Sequence, residues 1–297
     1  MSTTRAAVLP LMSRSAAYLS LTKPDVTFLV VLTTFAGFYM GSRGPLDVAL
    51  LLNVVLGTTL VGAGTAALNH YFERDIDAKM RRTAGRPLPL GILQPVEAAV
   101  FGASLLLGGT LYLALLVNGL AAILGLATAL SYLGLYTPLK KRTTLCTMIG
   151  AFPGAVPPLI GWAAATGHLS IGAWILFGIL FFWQFPHFFA IAWMYREDYA
   201  RGGIMMLPVV DPAGSATFSQ IIGTAVILVP VSLLAAVVGL AGIRYFFGAI
   251  ILGMALVQVC LWAARSKSNI RAKWLMHATV AHIPVLFGLM MFDKLAR

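Results

Sequence analysis

The sequence predicts an all-α polytopic membrane protein with nine transmembrane helices, two tandem four-helix units around a central cavity plus one appended helix. Three observations lead there. Of 297 residues only 10% are charged and 59% are apolar, against about 25% charged in soluble domains. No water-soluble fold of this size can hide that much apolar surface, which excludes a soluble enzyme, a nucleic-acid-binding domain and a disordered chain. The apolar residues fall into nine runs close to the length a helix needs to cross a bilayer. The cations are segregated, with 17 of the 21 Lys and Arg on one side of a nine-span topology and 4 on the other.

Taken in order, the runs are 25–41, 47–69, 97–117, 119–136, 144–164, 170–194, 217–239, 243–264 and 275–293. The first opens on Pro24-Asp25, a good helix start because proline needs no N–H partner in the first turn. Ahead of it, 1–24 reads as a cytoplasmic segment. Its apolar run 6–12 is broken by Pro10 and followed by Arg14 and Lys23, unlike a cleavable signal. Residues 25–297 then form one transmembrane domain. Asn118-Gly119 marks a tight hairpin between the third and fourth spans. Connections alternate between short, nearly uncharged ones and long or basic ones. Positive-inside bias places the N-terminus in the cytoplasm and the C-terminus outside, across the cell inner (plasma) membrane. Cys146 and Cys260 lie in apolar runs and read as small core residues, outside any disulfide or metal pattern.

Eight of the ten acids share the cytoplasmic side with the cations, and positive-inside bias does not account for them. Asn69, Glu73 and Asp77 are spaced i, i+4, i+8, so they form one stripe if the second span continues as helix. A second cluster, Glu197-Asp198, follows the sixth span, four spans later. Equivalent positions in a repeat face each other across a central cavity. Facing carboxylates suit Mg²⁺, a hard ion that takes one or two carboxylates plus substrate phosphates. Glu73, Asp77 and Asp198 are therefore the expected metal ligands, with Asn69 beside them as a fourth catalytic candidate. Lys79, Arg82, Arg86, Lys140 and Lys141 supply the cations a diphosphate needs, and an apolar cavity beneath would hold its lipid tail. Asp75 and Glu197 fit plain salt-bridge partners better. His70 sits beside the stripe but off its face. The loop after it, rich in cations, Gly and Pro, is expected to order over a bound diphosphate as a lid.

Asn69-x3-Glu73-x3-Asp77 followed by Arg82-Thr83-x2-Arg86-Pro87 resembles the first acidic motif of the UbiA-type intramembrane prenyltransferases. Four further segments resemble the haem-farnesylating branch of that superfamily, the haem O synthases. They are Leu21-Thr22-Lys23-Pro24, Tyr136-Thr137-Pro138-Leu139-Lys140-Lys141-Arg142, Phe182-Trp183-Gln184-Phe185-Pro186-His187-Phe188, and Asp198-Tyr199-x3-Gly203 leading to Met206-Leu207-Pro208. Two departures are visible. Glu73 stands where the superfamily usually has Asp, and Met194 stands where many relatives have a second aspartate four before Asp198.

The resemblance implies a Mg²⁺-dependent reaction. Farnesyl diphosphate ionises, the allylic cation alkylates a vinyl group of haem b, and water quenches the product cation to give haem O. It also implies haem-facing roles for His187, Trp183 and Gln184, and a haem A synthase or oxidase assembly factor as a candidate partner. An intramembrane histidine is a functional candidate in its own right. Two alternatives stand beside this reading. A UbiA-type enzyme prenylating an aromatic or quinone precursor would share the diphosphate site. A transporter would instead place its ionisable groups near the bilayer midplane.

Overall fold

The computed structural model describes residues 12–295, so Arg5, Arg297 and most of the 6–12 run lie outside the described residues. A short α1 (Arg14–Leu21) precedes α2 (Pro24–Gly41), α3 (Val48–Asp77) and α4 (Pro95–Leu116). The next span is composite: α5 (Gly119–Ser131), a π-helical turn at Tyr132–Tyr136, and α6 (Thr137–Leu139). The fifth is divided at Val156 into α7 (Cys146–Ala155) and α8 (Pro157–Thr166). Then come α9 (Ile171–Met194), two short helices α10 (Arg196–Arg201) and α11 (Leu207–Val210), and finally α12 (Ser215–Val237), α13 (Ile243–Ser266) and α14 (Asn269–Phe292). Among the described residues nine spans are long and apolar enough to cross a membrane, in the order the sequence predicts.

The last span begins at Asn269, six residues before the apolar run. The Ser268 side chain caps it by accepting from the Arg271 N–H, and the Arg271 guanidinium reaches back to the Trp262 carbonyl. A cation at a helix end can keep its head out of the apolar layer this way. The expected long basic loop therefore shrinks to Lys267-Ser268.

Helices in lipid lack a hydrophobic force between them and rely on close approach at small residues. A Cβ added at Gly161 of α8 would lie 1.9 Å from the Thr34 carbonyl oxygen of α2. One added at Gly64 of α3 would lie 2.4 Å from the Leu106 nitrogen of α4. Around these contacts, Phe38, Val54, Val61, Leu113, Ala122 and Ile160 form one core. A larger one, including Leu176, Ile179, Ile221, Tyr245, Leu275 and Leu286, joins α9 to α12, α13 and α14. Pro186 sits inside α9 without interrupting it.

The 30-residue α3 runs unbroken through the acidic stripe. At 1.5 Å per residue it is about 45 Å long, against about 30 Å of hydrocarbon. Its last turns therefore carry Asn69, Glu73 and Asp77 to the edge of the apolar layer.

Candidate active site

The stripe is buried: Asn69 is 0%, Glu73 6% and Asp77 1% exposed. Each member meets a cation from a different segment. Lys23 Nζ donates to Asn69 Oδ1 at 2.7 Å, Lys140 Nζ to Glu73 Oε1 at 2.7 Å, and Arg86 Nη1 to Asp77 Oδ2 at 2.6 Å. Asn69 Nδ2 donates to Thr137 Oγ1 at 3.3 Å. Asp77 Oδ1 has no hydrogen-bond partner among the described residues although it is buried.

Local backbone explains how these cations arrive. Lys23 adopts a left-handed conformation, φ 47°, immediately before Pro24, a strained geometry for a side chain with a Cβ. It turns the chain from α1 into α2 and aims the amine at Asn69. Proline at 138 has no N–H to give the preceding turn, and the chain widens into the π-helical turn there. This turn presents Tyr132 and Tyr136 and delivers Lys140, whose ammonium lies 4.4 Å from the Tyr136 ring centre.

Burial, with Arg86 nearby, pushes the Lys23 amine down to about 7. Burial also opposes charge on Lys140, but Tyr136 and Glu73 hold it well above the ordinary lysine value.

The segment between α3 and α4 is already folded over the site. Thr83 Oγ1 donates to the Asp77 carbonyl at 2.9 Å, and Leu88 and Leu93 are buried. The segment expected to act as a lid packs over the stripe. Asp198 fastens it: its carboxylate accepts from the backbone N–H groups of Arg81, at 3.0 Å, and Arg82, at 3.2 Å, and pairs with Arg201. Burial works against that carboxylate, yet the Arg81 N–H and the Arg201 guanidinium hold it below the usual range. The Arg82 guanidinium lies over the Tyr195 and Tyr199 rings.

Among the described residues no three His, Cys, Asp or Glu side chains converge on a common point. Glu73 and Asp77 sit together on α3, while Asp198 is occupied by the Arg81 and Arg82 backbone. The residues nonetheless fit a hard divalent ion. The stripe offers only oxygen donors, and a buried carboxylate oxygen without a partner costs about 1–3 kcal/mol or more until a cation meets it.

Beneath the stripe lies a cavity of about 270 Å³, lined by α2, α3, α5, α7, α8 and α9. Lys23, Tyr132 and Tyr136 line it nearest the stripe; Thr58, Val61, Gly125 and Ile160 line it farthest along their helices from that end. Of the three residues with expected haem roles, only Gln184 lines this cavity. Its Nε2 is tied to the Ala151 and Leu180 carbonyls, leaving Oε1 as an acceptor on the wall. Trp183 Nε1 donates to the Thr279 carbonyl at 2.8 Å, and His187 Nδ1 sits 2.9 Å from Thr279 Oγ1; both face α14. The side chains of Lys79 and Lys141 are exposed and form no ion pair among the described residues.

Sequence reasoning passed over Tyr132, and gave Lys23 and Thr137 no site role beyond the resembling segments that contain them. A lysine wedged between a short amphipathic helix and a Pro-initiated span was the available signal for Lys23. The other two depend on the π-helical turn.

A buried stripe of paired oxygen donors at the mouth of an apolar cavity, inside a nine-span bundle, defines an intramembrane site for an amphipathic anion. The model of the UbiA prenyltransferase family matches residues 30–281, and the chain belongs to that family. Among curated relatives it is similar to the protoheme IX farnesyltransferase of Solibacter usitatus, 46% identical over 286 residues, covering 93% of this chain and 98% of that one. It is also similar to the protein of the same name from Aquifex aeolicus, 39% identical over 277 residues, covering 93% and 94%. The fold resembles that of a digeranylgeranylglyceryl phosphate synthase, with TM-score 0.77, 20% identity and coverage of 94% and 98%. A UbiA homolog from Archaeoglobus fulgidus bound to GPP and Mg²⁺ aligns with TM-score 0.65, 15% identity and coverage of 92% and 99%.

Proposed function

We propose that this chain transfers a farnesyl group from farnesyl diphosphate to a vinyl group of haem b, with addition of water, giving haem O and diphosphate. The carrying observation is the stripe itself: three buried oxygen-bearing side chains, one with a bare oxygen, directly above a cavity lined mainly by apolar groups and tyrosines. The names of the curated relatives supply donor and acceptor.

Asn69, Glu73 and Asp77 would hold Mg²⁺. When bound, it neutralises the leaving diphosphate. Arg86, Lys140 and Lys23 are already in contact with the stripe and carry the donors to clamp phosphate oxygens. A dianionic group beside Lys23 favours its charged form. The donor C1–O bond breaks with its electron pair passing to the diphosphate oxygen, and C1 bonds to the terminal vinyl carbon. Water then adds to the adjacent carbon and loses a proton. Tyr132, Tyr136 and Phe188 line the space where cationic carbon forms, and aromatic rings stabilise positive charge. Asp198 holds the loop over the site and so keeps water away until alkylation is complete. Gln184 Oε1 is the acceptor on the cavity wall, available to the porphyrin; Trp183 and His187 support it by fixing α9 to α14. Lys79 and Lys141, exposed beside the site, attract the anionic donor. The cation asymmetry supports an orientation with this end at the cytoplasmic face of the inner membrane.

The test is mass spectrometry of haem from cells lacking their own haem farnesyltransferase, with and without this chain. A hydroxyethylfarnesyl gain on haem supports the proposal. Prenylated 4-hydroxybenzoate with unchanged haem rejects it.

A further inference from the structure

We propose that the closed end of the cavity measures the prenyl chain, and that Thr58, Gly62 and Ile160 set it at three isoprene units. This rests on the prenyl-transfer reading above. The α3 residues lining the cavity, Thr58, Val61, Gly62, Thr65 and Ala66, form one helical face below the acidic stripe. From Asn69 down to Thr58 is eleven residues, about 16 Å along the axis. An extended isoprene unit, four bonds of about 1.5 Å in a zig-zag, covers about 5 Å. Three units fit this depth, and a fourth does not.

The floor is built at the same level from three helices. Gly125 lies eleven residues from Tyr136 toward the opposite face, and Ile160 thirteen from Thr147, all four on the cavity wall. Leu113 of α4 closes behind it: a Cβ on Gly125 would come within 3.3 Å of the Leu113 side chain. Ile160 is 2% exposed and supplies the steric stop. Thr58 is equally buried, and its hydroxyl has no partner among the described residues; a hydrocarbon tail packed there offers it no hydrogen bond, so a methyl group in its place would receive the tail better. Gly62 leaves room midway. A Cβ there meets nothing within 4 Å, because the space in front of it is the cavity.

The experiment uses full-length protein in lipid nanodiscs with an equimolar mixture of geranyl, farnesyl and geranylgeranyl diphosphates. Products on haem b are counted by mass spectrometry, and binding of each donor is measured in parallel without haem. Wild type should favour the fifteen-carbon donor. Gly62→Leu should move the ten-to-fifteen-carbon ratio at least about tenfold toward ten, the discrimination a few methylenes give in an apolar pocket. Ile160→Ala should move the twenty-to-fifteen-carbon ratio about as far toward twenty. Thr58→Val, nearly isosteric, should move it the same way by less, and supplies this arm if Ile160→Ala does not fold. Ratios within twofold of wild type in folded Gly62→Leu and in the folded floor variant overturn the ruler. Length-dependent binding without haem product keeps the ruler and removes the acceptor assignment. Absence of binding and of product with every donor removes both.

Discussion

Replacing Asp198 with alanine separates two roles for one carboxylate. The duplicated acidic clusters predict a metal ligand; in the structure the same carboxylate accepts from the backbone of the loop over the site, and we propose that it fastens that loop. The side chain accepts from the Arg81 and Arg82 N–H groups and pairs with Arg201, while only 9% of it is exposed. Hydrogen bonds to a charged acceptor are worth about 1.5–3 kcal/mol each. Losing two, offset by partial rehydration of the freed N–H groups, weakens loop docking by about 3 kcal/mol. At 1.4 kcal/mol per decade, that raises the detached population about 100-fold. Hydrogen–deuterium exchange of a peptide covering Arg81 to Thr83 reads this directly, and exchange there should accelerate by the same factor. The Mg²⁺ concentration for half-maximal activity should stay within about threefold, well short of the tenfold that a lost ligand's 1.4 kcal/mol would bring. Unchanged exchange together with a Mg²⁺ requirement raised tenfold or more would refute the fastener.

Four other outcomes follow from the same geometry. Asp77→Asn should lower kcat/KM by more than about 100-fold, since a charge-bearing ligand is lost where the diphosphate leaves, and thermal stability in detergent should fall as well, because Arg86 loses its carboxylate partner. Chelation with EDTA should abolish turnover and Mg²⁺ should restore it, with the donor-induced rise in melting temperature following the same pattern. Lys23, pushed by burial to about 7, should make donor KM rise about tenfold between pH 7 and 8.5 as the amine loses its charge, and Lys23→Met should flatten that profile. The folded-state value lies below the unfolded one of about 10.4. The unfolded chain thus binds more protons between the two, and this group's contribution to stability rises with pH across that window. Trp183→Phe removes the bond to the Thr279 carbonyl and should cost about 1 kcal/mol of stability without altering KM for haem; a raised haem KM at unchanged stability would return Trp183 to the porphyrin.

Much of this architecture could be read from residue order. Nine apolar runs gave the span count because hydrocarbon thickness admits little else, and the i, i+4, i+8 spacing carried α3 as helix through Asp77. The partners of the stripe were less legible. Arg86 is nine residues from Asp77, but Lys23 and Lys140 reach the stripe only because α2 and the π-helical turn flank α3 in space. The loop contacts of Asp198 were hidden for a related reason. Its partners are backbone N–H groups, which no residue code displays. The Trp-Gln-x-Pro-His segment marked a functional helix, yet helical rotation sends its members to different faces, Gln184 to the cavity and Trp183 and His187 to α14.

The unbroken α3 has a consequence for how such a chain can diversify. The proposed headgroup residues at Asn69–Asp77 and tail residues at Thr58–Ala66 belong to one stiff rod, with no hinge between them. Their separation is therefore fixed by helical rise, and no domain motion can lengthen or shorten it. A descendant accepting a longer or shorter lipid would have to carve or fill the wall, one side chain at a time, leaving the scaffold untouched.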